Sequence, residues 1–425
     1  MTKRELMTGD PPMMRRLNRA TVLKLIRSRG PISRTALVHS TGLAPRTVFS
    51  IVEELVGVEL VRSSGIGRTR VGRRPLLYEF NPTGYALVGV EVRADEVLAL
   101  VTDLDAQVLG RASGPMSSDL DRTQGLALIA STIREAWISA DRRPERLLGI
   151  GVATPGLVDC DHGIVRQAVN LQWRYLALGP ALGAEFNVPV WIESVAKAMA
   201  LGEHLFGNAR GVSDLVCMNV GGGVGAGIIM NDMLLRGPDN AAGEVGHTTV
   251  DHDGPLCSCG NRGCLEVLVA TPAIACRMAM LMGPEVEGLA RASPDRVVAR
   301  LAREAEAGDA LALRIVDEVG GYLGIGVANL VNLVNPEAVI IGGVLASLGE
   351  LLLKKVRTTV SARALGMLSN RVRILPTALG PDAGAIGGAA LVLLREDILP
   401  TQAFLSGQAA DALDALRSPT MASGL

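Results

Sequence analysis

The segment GEVGHTTVDHDGPLCSCGNRGCLE, Gly243–Glu266, constrains the fold of this chain more than any other stretch. His247, Cys257, Cys259 and Cys264 fall within eighteen positions of one another. Three thiolates and one imidazole complete a tetrahedral zinc shell, so the loop that carries them has to close on a single point. Gly254, Gly260 and Gly263 supply the tight turns that aim the sulfurs inward. Four protein donors leave no open position for water, which implies a structural zinc and not a catalytic one. The alternative is three free thiols on a glycine-rich loop. The Cys257–Cys259 spacing, one residue tighter than usual, is the feature that favours it.

Charge is spread unevenly. Residues 1–80 hold fifteen Lys and Arg against six Asp and Glu, a balance of +9, while the rest of the chain carries −10. A small basic module on an acidic body points to a nucleic-acid partner. Within the module, Leu17, Val22, Leu25 and Ile26 have helical spacing up to Arg29-Gly30-Pro31. Ser33 predicts the cap of a second helix, Arg34–Ser40, ended at Thr41-Gly42. Pro45 suits the first turn of a third helix running to about Val56, with Val48, Ile51, Val52 and Leu55 on its inner face. This spacing predicts a helix-turn-helix whose third helix reads the major groove. Arg46, Thr47 and Ser50 then face DNA, with Arg34 and Thr35 near the phosphates. Glu59–Val61 and Leu76–Phe80 read as two strands of a wing. Between them SSGIGRTRVGRRP carries Arg68, Arg70, Arg73 and Arg74, and the last two sit in an arm suited to a minor groove. Residues 13–80 are therefore expected to form a winged helix-turn-helix bound to double-stranded operator DNA.

From Tyr85 onward the texture is apolar strands alternating with helices. Aromatics make up only 3% of the chain, so its core has to be aliphatic, as in α/β layers with a largely parallel sheet. Residues 86–110 read as two adjacent strands with a turn near Ala94-Asp95. LLGIGVATPGLVD, PVWIES, LVCMNVGGGVGAGIIMND and AVIIGGVLA read as further strands, and Thr123–Ala140 and Leu311–Val334 as helices. Residues 83–200 and 201–395 have similar texture and are expected to form two lobes around a cleft, with the metal loop 247–264 in the second. The tail, 396–425, is expected to be mobile. Gly221–Gly225 suits a phosphate cradle and close backbone packing equally well. The first residues show no secretory pattern and no apolar run reaches membrane length, so a cytoplasmic protein with no membrane partner is expected.

These pieces together resemble the ROK family of repressors and sugar kinases, from about Arg15 to Leu394. The metal-loop signature is the most specific motif. TPGLVD, NLQW, GGGVGAGII, GEVGH and NLVNLVNPEAVIIGG resemble the body motifs, and SRTALVHSTGLAPRTVFSIVEEL the DNA-binding segment of the repressor branch. The resemblance implies an α/β, actin-like, sugar kinase-like body behind a winged helix-turn-helix, assembled as a homodimer or homotetramer. It also implies a sugar pocket formed by Asn170, Glu244, His247 and Glu266, in which His247 serves both zinc and ligand.

Kinase members carry an Asp-x-Gly-x-Thr-like turn, where this chain has Glu91-Val92-Arg93-Ala94-Asp95. They carry Glu-Asn-Asp-Ala-Asn, where this chain has Glu193-Ser194-Val195-Ala196-Lys197, with Val195 in place of the general base. Gly222 replaces a phosphate-contacting Thr. The expected function is a transcriptional repressor of carbohydrate uptake or catabolism genes, with no catalytic residue, whose effector is a sugar or sugar phosphate. The rival readings are a sugar kinase and a regulator controlled by a protein partner.

Overall fold

The computed structural model describes residues 11–67, 74–140, 146–282 and 294–394. The chain opens with a head built from α1 (Pro11–Arg29), β1 (Ile32–Ser33), α2 (Arg34–Thr41), α3 (Pro45–Gly57), β2 (Val61–Ile66) and β3 (Leu76–Phe80). Ser33 caps α2 by accepting from the Ala36 amide at 3.2 Å, and Gly42 closes it in the left-handed conformation. Pro45 opens α3, whose Val48, Ile51, Val52 and Leu55 are buried. The antiparallel sheet β1-β3-β2 covers the open side.

One expectation in the head is overturned, that of a strand from Glu59. The amide of Leu60 returns to the Leu55 carbonyl, Glu59 sits at φ +60°, and the strand starts at Val61 once this helix end is complete. Leu17 is exposed, and Arg19 is the buried residue of that turn, paired with Glu54 at 2.7 Å.

The body follows as β4 (Ala86–Val92), β5 (Glu96–Thr102), β6 (Val108–Pro115), α4 (Arg122–Ile138), β7 (Leu147–Thr154), β8 (Leu157–Asp159), β9 (Ile164–Ala168), β10 (Trp173–Leu176), α5 (Leu178–Phe186), β11 (Val190–Ser194) and α6 (Val195–Leu205). Then come β12 (Leu215–Val220), β13 (Val224–Met230), β14 (Met233–Leu234), α7 (Glu266–Val269), α8 (Thr271–Met282), α9 (Pro294–Glu306) and α10 (Ala310–Val334). The remaining elements are β15 (Ala338–Gly342), α11 (Gly349–Arg363), α12 (Gly366–Ser369), β16 (Arg373–Pro376) and α13 (Ala383–Leu393). Residues 86–110 hold parts of three strands, not two. The Asp103 carboxylate accepts from the amides of Asp105 and Gln107 and turns the chain, with Ala106 at φ +60°.

The two five-stranded sheets share one topology. In the first, β11-β7-β4-β5-β6, the first two pairings are parallel and the last two antiparallel. In the second, β16-β15-β12-β13-β14, the same sequence of pairings recurs. Each sheet has its own aliphatic core. Chain order and packing part company at the C-terminus. α13 lies against β4, β7 and α6, although it follows the second sheet in sequence. The contact with α6 is backbone-close, since a Cβ on Gly387 would lie 2.2 Å from the Ala198 carbonyl oxygen. Ala389 and Val392 of α13 join Leu148, Tyr85 and the inner face of the head in one cluster. Among the described residues no helix is long and apolar enough to cross a membrane.

Candidate metal centre and adjoining pocket

The loop after β14 folds back on itself through main-chain bonds. The Cys257 amide donates to the Asn261 carbonyl at 2.7 Å and the Gly260 amide to the Cys257 carbonyl at 2.9 Å, a tight knuckle around the first two cysteines. The amide of Gly263, at φ +61°, donates to the Pro255 carbonyl and turns Cys264 toward them. The donor atoms of His247, Cys257, Cys259 and Cys264 all lie within 4.8 Å of one another. His247 Nδ1 is 3.7 Å from Cys257 Sγ, and Cys259 Sγ is 3.8 Å from Cys264 Sγ. A tetrahedron with metal–sulfur bonds of about 2.3 Å has edges of about 3.8 Å. A disulfide would need about 2.05 Å, and all three thiols are free. The donors therefore fit a tetrahedral soft-metal site, and Nδ1 is the histidine nitrogen that faces it.

Burial and the neighbouring Cys259 and Cys257 thiols push the Cys264 thiol up to about 12. Cys259 is held below the usual thiol value, chiefly by the Asn261 backbone amide and then by the Cys257 thiol. Three crowded sulfurs resist ionising together, and a dication at their centre removes that resistance.

The metal loop leads directly into α7, whose first residue is Glu266. Its carboxylate accepts from the Val224 amide at 3.0 Å and sits against Gly223, so it ties the metal loop to the glycine turn Gly221–Gly223. Glu244 is exposed at the start of the short 3-10 turn Val245–His247, and His247 is half-buried. Asn170 is exposed in a 3-10 turn, Val169–Leu171, anchored by buried Leu171 and Trp173. Among the described residues no hydrogen bond joins Asn170 to Glu244, His247 or Glu266.

Sequence reading missed a buried polar cluster at the start of α6. Glu193 is fully buried and accepts from Arg236 Nε at 3.1 Å and from the Ser194 amide at 2.9 Å. Lys197 is also buried, and its Nζ donates to the Asn240 carbonyl. The signal for Lys197 was present in the sequence: it is a lone cation inside the apolar helical run Val195–Leu201. Arg236 gave none, since it lies in a loop outside every motif. Burial and the neighbouring Glu193 carboxylate push the Cys160 thiol up to about 12, so it stays protonated and inert. Val195 packs with Ala153, Ala198 and Met199 at the start of α6.

The turn Glu91–Asp95 is closed by its own arginine. Arg93 donates to the Glu91 carboxylate at 2.7 Å, to Glu96 at 3.1 Å and to the Pro381 carbonyl. Burial raises the Glu91 carboxyl above its ordinary value in spite of Arg93.

In the head, Arg46 and Ser50 are exposed on α3, opposite the buried stripe of the same helix, and Thr47 is half-buried at the edge of that stripe. Thr35 is exposed on α2. Arg34 is held within the head: it bonds Glu53 at 3.4 Å and stacks on the Phe49 and Tyr78 rings. Arg74 is exposed beside β3, while Arg68, Arg70 and Arg73 lie outside the described residues.

Comparison with known proteins places this geometry. The xylose repressor of Caldicellulosiruptor bescii is 34% identical over 388 residues, covering 91% of this chain and 97% of that protein. The DNA-binding transcriptional dual regulator NagC of Escherichia coli is 30% identical over 386 residues, covering 90% and 94%. A solved ROK family transcriptional regulator, a homolog of the E. coli MLC protein, superposes with a TM-score of 0.78 at 27% identity, covering 95% of this chain and 99% of its own. A ROK family glucokinase from Streptomyces griseus, solved with glucose and AMPPNP, superposes with a TM-score of 0.63 at 29% identity but covers only 72% of this chain. The profile of the ROK family matches residues 87–395. With an actin-like, sugar kinase-like body, a Cys3His cluster and a basic head, the chain belongs to the ROK family.

Proposed function

We propose that this ROK protein is a sugar-responsive transcriptional repressor. One observation carries the reading: similarity to proteins named as repressors runs through the head as well as the body, whereas the glucokinase covers the body alone. The head acts as a winged helix-turn-helix. α3 enters the major groove with Arg46, Thr47 and Ser50, Thr35 lies toward the phosphates on the helix that Arg34 anchors to Glu53, and Arg73 and Arg74 of the wing reach the minor groove. Two heads of a homodimer, or of a tetramer, engage a pseudo-palindromic operator.

The body senses a sugar or sugar phosphate at Asn170, Glu244, His247 and Glu266. His247, Cys257, Cys259 and Cys264 hold a structural zinc through Nδ1 and three sulfurs, which fixes the tautomer and leaves Nε2 for the ligand. The body does not transfer phosphate. Val195 cannot accept a proton from a sugar hydroxyl, and the Arg93–Glu91 cluster fills the turn that would receive nucleotide phosphates.

The test is selection of genomic DNA fragments by the full-length protein. One or a few promoter fragments should be enriched, and Arg46→Ala should weaken binding to them by about 1–3 kcal/mol and relax specificity. Uniform recovery of unrelated DNA, with Arg46→Ala indistinguishable from wild type, would contradict the assignment.

A further inference from the structure

Arg27, near the end of α1, grips the body. Its guanidinium carbon lies 5.3 Å from the centre of the Phe80 ring in the head and 5.5 Å from that of Phe206 in the body. Nη2 donates to the Leu104 carbonyl at 3.3 Å and lies 3.6 Å from Asp105. Only 26% of the side chain is exposed. A largely desolvated cation against two aromatic rings is a directional contact, strengthened by its partial removal from water.

Phe206 immediately follows α6, and α6 begins immediately after Ser194. A single helix of eleven residues thus joins the buried polar cluster of Glu193, Arg236 and Lys197 to the head, a span of about 16 Å. At its pocket end the helix is tied twice to the segment preceding Glu244: Glu193, just before it, accepts from Arg236, and Lys197 donates to the Asn240 carbonyl. Val195–Glu203 are buried without interruption, so the helix has no solvent-facing side along which to relax. Displacement of the 236–247 segment therefore pulls on one end of a confined rod whose other end touches Arg27.

We propose that α6 is a strut that transmits effector occupancy from the 236–247 segment to the head, and that the Arg27–Phe206 stack is its coupling contact. The proposal rests on the repressor reading above and adds the route. Arg27 and Phe206 are positioning residues: neither touches DNA or effector. α13 also enters the head cluster, through Ala389 and Val392, and is the competing route.

Reciprocity supplies a test that needs no knowledge of the effector, because operator binding has to alter the pocket end of α6 if the pocket alters operator binding. Hydrogen exchange would be followed in peptides spanning Glu193–Lys197 and Arg236–Asn240. The full-length zinc protein would be compared with and without a DNA fragment recovered by selection. The variants are Phe206→Leu, which keeps apolar bulk and removes the ring face, and Arg27→Gln, which keeps a donor and removes the charge.

In wild type, DNA should change exchange in both segments by about fivefold or more, the lower end of ordinary site-to-site coupling. In the variants DNA affinity should remain close to wild type while that change disappears. Full transmission in both variants, or no change in wild-type protein that binds its DNA, would overturn the strut. Failure of wild type to retain any DNA would overturn the repressor reading and the strut with it.

Discussion

A Cβ on Gly263 would lie 1.4 Å from the carbonyl oxygen of Asp251, so alanine there displaces the turn that carries Cys264. Gly263→Ala and Cys257→Ser should therefore both lower metal content, measured by mass spectrometry of the intact protein, from about one zinc per chain toward none. Retention of stoichiometric zinc by Cys257→Ser would remove that residue from the shell. Glu203 offers a different test. Its buried carboxylate accepts from the Thr377 hydroxyl and from the amides of Ala378, Leu379 and Asn208, and so joins α6 to the loop after β16. Glu203→Ala strands those donors and should cost about 3 kcal/mol or more, read as a lower thermal midpoint. The Cys3His cluster was legible in the sequence because its chemistry is local: four donors of the right softness within one loop. Glu203, Arg236 and Arg27 were not. Their partners lie far away in the chain, and a lone charged residue carries no signal until folding brings its partner near.

At the scale of elements, the second and third helices of the head were legible to within a residue because their punctuation is chemical: Ser33, Gly42 and Pro45 stand where caps and first turns need them. The errors fell where tertiary structure decides. Glu59 looked like strand because it precedes a run of β-formers, yet the C-terminal turn of α3 claims it. Arg19 carried no signal in the sequence, and Glu54 holds it inside. Burial opposes ionisation of Glu54, but hydrogen bonds from Arg19 and Arg15 outweigh it and hold the carboxyl below its ordinary value. A carboxyl depressed in the folded state contributes stability that is complete above its unfolded value, about pH 4.3, and is lost as pH falls through the folded one. Protection factors in α1 and α3, with the intrinsic pH dependence of amide exchange divided out, should therefore fall in acid, and Glu54→Gln should flatten that fall. A fall of equal steepness in the variant would assign the acid sensitivity elsewhere.

For the whole molecule, the repeated strand order of the two sheets explains why both halves of the body read alike in sequence. What periodicity did not reveal is that α13 returns to the first sheet and that its far side reaches into the head. That packing makes the head a continuation of the body's core, which is the arrangement a sensor needs if ligand in the body is to be felt at DNA. On the proposed reading, the kinase-like body has exchanged phosphoryl transfer for control of DNA affinity. The most direct measurement is a fluorescence-anisotropy titration of the full-length protein on a selected promoter fragment. D-xylose, N-acetylglucosamine and their phosphates would be added in turn with Mg-ATP present, and ADP would be followed in the same samples. At least one of these sugars should shift DNA affinity by about 5–150-fold while no sugar-dependent ADP forms. Sugar-dependent ADP production with DNA affinity unmoved by every sugar would contradict it.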